Sequence, residues 1–217
     1  MIERDYIMRM VSILTAALAR ILRLKHAREF PQALAEVDTT GRTLLGLDTG
    51  LMHLLSDDQL LELIGKDETL EIPKCYVLGV LLREEGEIIH LQGSPDESTP
   101  LYAKALGLLT ETYIRHGGPV EADHGRQISF LVGRLKDTEL PLNTMVRLFR
   151  YYALSGDFAG AEDLLFRIIE GQRTFLNEGI LFYERLLATS DDELSRGHLP
   201  RDEVEEGLAE LRRKAAE

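Results

Sequence analysis

A chain of 217 residues, 44% hydrophobic and 29% charged, is long enough to bury a substantial core, which excludes a disordered polymer. Thirty-seven acidic against twenty-five basic residues give a net charge of −12. That is the wrong sign for gripping a phosphate backbone, so no nucleic-acid partner is expected. The single cysteine, Cys75, cannot close an internal disulfide and suits a reducing compartment.

At the N-terminus, Met10–Ala19 is mostly apolar, and Ala17-Leu18-Ala19 mimics a secretory cleavage site. Glu3 and Asp5 stand where a basic region should precede such a signal, and the run between Arg9 and Arg20 is too short to span a bilayer. Periodicity also continues past the cut. Ile7, Val11, Leu14, Leu18, Ile21 and Leu22 share one helical face, and Ile2, Tyr6, Met10, Ile13, Ala17 and Leu24 form a second row beside it. We read an amphipathic helix over 2–25 in a cytoplasmic protein with no membrane partner. A helix apolar over more than half its circumference must bury both sides. It does so between two layers of the fold or across a homodimer interface.

Further helices are expected over 30–45, 57–64, 73–91, 100–116, 122–136, 142–154, 158–170, 173–188 and 201–215. Ser56 with Gln59 has the spacing of a capping box, and Pro73 and Pro141 suit first turns. Gly65, Gly117-Gly118, Gly156 and Gly171 mark stops. Residues 93–100 read as a polar, turn-rich insertion and 65–71 as a charged connector. With no alternating β-branched run, the class is all-α. One domain is expected, with a soft boundary near 118–124.

Residues 142–170 hold the most informative pattern. Met145, Leu148, Phe149 and Tyr152 line one helix, Gly156-Asp157-Phe158 makes a tight turn, and Ala161, Leu165 and Ile168 line the next. This resembles a degenerate tetratricopeptide repeat in Tyr152, Gly156, Phe158 and Ala161, and departs from it at Phe149, where that family prefers a small residue. Phe30-Pro-Gln-Ala33 and Tyr102-Ala-Lys-Ala105 echo the turn entry, but at irregular separations. The resemblance implies stacked helical hairpins, as a superhelix or as an irregular bundle. The opening Asp5-Tyr6-Ile7-Met8-Arg9, the stretch Tyr76–Gly86 and the ending Leu199–Leu211 are similar to an uncharacterised bacterial family of tetratricopeptide-like proteins whose first helix reads D-[YW]-[IL]-M-R. That resemblance implies a bacterial cytoplasmic protein and carries no catalytic residue to transfer.

No phosphate-binding, nucleophile-elbow or zinc motif occurs. Two E-x-x-H pairs, Glu87/His90 and Glu121/His124, have the spacing that builds di-metal bundles, but both lie at expected helix ends. His116 reads as a cation favoured at a helix C-terminus. The leading reading is therefore a non-enzymatic protein–protein interaction or adaptor module without a cofactor. Its alternative is a metal-binding or enzymatic helical bundle using His90, His116 and His124.

A binding face is expected on helix 142–154, where Asn143, Arg147, Arg150 and Leu154 share one side and Tyr151 flanks it. In a tetratricopeptide hairpin that side lines the groove. Its guanidinium groups would suit an acidic segment of a protein or peptide partner. The competing reading pairs these arginines with the chain's own acidic residues 31–100, which hold fourteen carboxylates against four bases.

Overall fold

The computed structural model describes residues 2–65 and 71–216. The connector expected at 65–71 falls mostly outside the described residues, as do the side chains of Ile2 and Glu3. The described residues form helices and their connections, with no strand among them, and fall into two compact units, 1–140 and 141–217.

The first unit contains α1 (Ile2–His26), α2 (Phe30–Leu45), α3 (Thr49–Leu54), α4 (Asp57–Ile64), α5 (Glu71–Leu91), α6 (Pro95–His116) and α7 (His124–Arg134). Helix α5 is the centre. Its run Cys75-Tyr-Val-Leu-Gly-Val-Leu-Leu82 is apolar on every side, so no face of it can be left in water. All eight residues are buried, and α1, α2, α4 and α6 pack around them. Helix α6 comes closest, because Gly79 and Gly86 present no side chain to it. A Cβ on Gly79 would stand 2.7 Å from Leu109, and one on Gly86 2.9 Å from Tyr102.

Helix α1 buries Met10, Leu14, Ala17 and Ile21, one stripe drawn from both expected rows. It ends where Arg28 enters the left-handed region at φ 58°, with Arg28 N–H bonded to Lys25 O and Glu29 N–H to Leu24 O.

The segment 93–100 is not an insertion. Gly93, at φ 92°, closes α5, and Pro95 opens α6 at once, so Pro100 lies inside the helix. Ser98 and Thr99 hydroxyls donate to Pro95 O. Residues 118–124 form the turn from α6 into α7, which packs back on α6, so the chain divides later, after Leu140.

The second unit contains α8 (Leu142–Ser155), α9 (Phe158–Gly171), a 3-10 turn (Arg173–Phe175), α10 (Leu176–Leu187), α11 (Asp191–Arg196) and α12 (Arg201–Ala216). Helices α8 and α9 form a hairpin closed by Gly156 at φ 86°, with Asp157 capping α9 through Gly160 N–H. Phe149, Phe182 and Tyr183 are buried, and Phe149 meets Phe182 edge-on with ring centres 5.4 Å apart.

Ala161 has no exposed surface. Ala161→Leu is therefore expected to overpack the hairpin and to destabilise by about 1–3 kcal/mol. Gly156→Val, which forces a β-branched residue into the left-handed region, should cost at least about 1 kcal/mol. Urea denaturation of each variant checks both values.

Candidate functional site

The expected face on α8 is divided by its surroundings. Asn143 and Leu154 are exposed, Leu154 at 49%, whereas Arg147 is buried at 8% and Tyr151 at 8%. Arg150 is exposed but forks onto Glu178 of α10, with Nε–Oε1 at 2.8 Å and Nη2–Oε2 at 3.0 Å. Arg150 thus answers a carboxylate of its own unit, outside residues 31–100, and Arg147 lies inside rather than on an open surface.

The first unit holds a cavity of about 600 Å³ that sequence spacing did not reveal. Helix α1 supplies Ile7, Met10, Val11, Leu14, Thr15 and Leu18 along one wall. The start of α5 supplies Ile72, Pro73, Tyr76 and Val77, and the turn after α6 closes one end with His116, Val120, Glu121 and Asp123. The walls are apolar because α1 has more apolar arc than its neighbours cover. The end is polar because the α6–α7 turn must satisfy its own backbone.

That polar end is built around Tyr76 and Asp123. The Tyr76 hydroxyl donates to Asp123 Oδ1 at 2.8 Å, and Gln127 Nε2 donates to Oδ2 at 2.6 Å. Burial, then the hydrogen bond to Asp123, pushes the Tyr76 phenol far up, so it stays protonated. Burial alone would raise Asp123, but the hydrogen bonds from Gln127 and Tyr76 outweigh it and hold the carboxyl below its usual range. The pair fixes the end of the cavity.

The three histidines of the alternative reading are occupied separately. His124, wholly buried, accepts Val120 N–H at Nδ1 (3.2 Å), so its proton sits on Nε2 and points to Leu109 O at 3.0 Å. The ring lies edge-on to Tyr76 and Tyr113. Its partner in sequence, Glu121, lies in the turn rather than on a helix, which breaks the E-x-x-H face. His90 Nε2 lies 3.3 Å from Arg134 Nη1, and His116 Nδ1 lies 3.2 Å from Gly118 O. Among the described residues no group of three or more His, Cys, Asp and Glu side chains is placed to hold a metal ion.

Burial pushes His124 down to about 4 from its ordinary 6.5. Above pH 6.5 the imidazole is neutral in the folded and unfolded chain alike. As the pH falls from 6.5 toward 4 only the unfolded chain takes the proton, and stability is lost. Between pH 7.5 and 4.5 this amounts to roughly 2–3 kcal/mol. His124→Gln can keep both hydrogen bonds and cannot titrate, so urea melts at the two pH values should show a correspondingly smaller acid loss for the variant.

A second polar cluster sits deeper. Glu84 and Glu85 are buried on α5 and must be compensated there. Lys25 Nζ reaches Glu84 at 2.6 Å and Glu87 at 3.4 Å, while Arg83 pairs with the same two carboxylates. The Arg83 and Arg134 guanidiniums each stand over the Phe130 ring, 5.1 Å from its centre. Glu85 bonds to His53 at 3.0 Å, and burial raises its carboxyl above the ordinary value. Lys104 donates to Met52 O, His53 O and Leu55 O, capping the last turn of α3. These groups tie α1, α3, α5 and α6 together.

Among the described residues no helix is long and apolar enough to cross a membrane. A family model described as a family of unknown function (DUF6483) matches residues 1–216, and that description names neither a repeat nor an activity. Comparison with curated proteins and with solved structures finds no match.

Proposed function

We propose a protein-interaction role for this chain, which belongs to the DUF6483 family of unknown function. In this reading the chain is a non-enzymatic adaptor that seats an apolar helix of a partner protein in the groove between α1 and the start of α5. The observation that carries it is the apolar arc of α1. One stripe, Met10, Leu14, Ala17 and Ile21, is spent on the fold. The adjoining Ile7, Val11 and Leu18 line the cavity half-buried, and Met8 and Leu22 continue the arc into solvent at 56% and 52% exposure. A helix laid into such a groove buries its own i, i+3, i+4 and i+7 side chains.

The hairpin α8–α9 supports the same class. We read it as a degenerate tetratricopeptide unit, with Gly156 at the turn and Ala161 at the close approach. Phe158 departs from that plan, because its ring lies against Gly197 and Ala159 N–H donates to Gly197 O. The partner site moves from the α8 face to the α1 groove, since Arg147 and Tyr151 are buried. A cytoplasmic setting is part of the same reading.

Val11→Asp tests it. The side chain is half-buried at the groove wall, so the fold should survive while a carboxylate replaces the apolar contact. A specific partner co-purifying with the wild-type chain should fall at least about tenfold in recovery with the variant. Undiminished recovery of every partner by a folded Val11→Asp chain overturns the proposal.

A further inference from the structure

The docking reading leaves the partner's chemistry open, and the end of the groove narrows it. We infer that the helix seated on α1 is basic, carrying a Lys or Arg beside its apolar ridge where it meets Glu121 and Asp123. The inference rests on the groove being the docking site.

Two carboxylates stand at one end of an apolar trough. Asp123 is locked by Tyr76 and Gln127, and Arg126 of α7 also helps to keep it ionised. Glu121 is half-buried and makes no ion pair among the described residues. It stands beside an apolar wall of low polarisability, where the field of a charge is less screened than in open water. His116 is the other titratable group lining that end beside Tyr76.

A partner with an acidic residue there would place like charges together, and a neutral one would leave Glu121 desolvated without return. A cation gains from both carboxylates. From Ile7 to Leu18 the wall runs about 16 Å, or three turns of a partner helix, so one basic residue at the end of a three-turn apolar ridge satisfies the trough.

The test uses a displayed library of amphipathic helices with fixed apolar ridges and random flanking positions. It is selected on the purified full chain and counter-selected on Val11→Asp. The inference predicts binders enriched in Lys or Arg at one flanking register. Their affinity should fall about tenfold on Glu121→Lys, with the melting temperature of that variant verifying its fold. Selection on Glu121→Lys itself should switch the enriched residue to Asp or Glu. Binders that depend on Val11 but show no charge preference would overturn the inference and leave the docking reading standing. A selection yielding no Val11-dependent binder would overturn both.

Discussion

Lys25→Met is expected to destabilise the chain by about 3 kcal/mol, although the substitution is apolar and of similar length. The Lys25 side chain is only 8% exposed, and Glu84 beneath it 7%. Removing the ammonium leaves a carboxylate inside the protein with Arg83 as its main compensation, and a half-broken buried pair costs more than an intact one contributes. Two features of the fold impose this arrangement. Glu84 is buried on α5, and α1 ends there in a basic turn of Arg23, Lys25 and His26. The double variant Lys25→Met with Glu84→Gln removes the stranded charge together with its partner. It should be more stable than the sum of the single losses by about 1–3 kcal/mol. Strict additivity in urea melts would mean that the two groups are not coupled.

The second large effect is expected at Arg147. Arg147→Glu should cost about 3–5 kcal/mol, because it reverses a charge at a position 8% exposed. Arg147→Met keeps the packing of the aliphatic stem and should cost about half as much. Arg150→Glu sets a carboxylate against Glu178 on an exposed face, and its loss should not exceed about 1 kcal/mol. This ordering separates a structural arginine from a surface one. Equal, negligible losses at 147 and 150 would return both residues to an open binding face.

Local chemistry was legible in the sequence wherever one helix end or one helix face decided it. Ser56 and Gln59 form the capping box their spacing announced, and Gly117 and Gly156 adopt the left-handed caps expected of them. Helices α3 and α11 are not legible in the sequence, being six residues long and carrying too little periodicity. Their caps were nevertheless visible. Ser190 and Glu193 make the same box as Ser56 and Gln59, and Asp48 accepts from Leu51 N–H. Pro95 likewise announced the start of α6 better than Pro100.

The candidate site was legible only in part. The doubled apolar arc of α1 showed that its second side needed a covering. What lies across from it was not readable, because Tyr76 and Asp123 are 47 positions apart and meet only through the packing of α5 under the α6–α7 turn. The division of the α8 face was not readable for a related reason. Helical spacing assigns residues to a side, but it does not say how many sides the neighbours enclose, and Thr144, Arg147, Leu148, Phe149 and Tyr151 are all buried.

The proposed docking on α1 specifies where a partner should touch this chain. Thr15 is exposed and lines the groove, and Leu154 is exposed on α8. A photo-reactive phenylalanine analogue placed at each position in turn, in cells of the source organism, converts proximity into a covalent adduct whose peptides mass spectrometry identifies. Docking on α1 predicts adducts at Thr15 with a partner segment of helical, basic-amphipathic sequence, and none at Leu154. Adducts at Leu154 with Thr15 silent would contradict it and place the binding surface on α8.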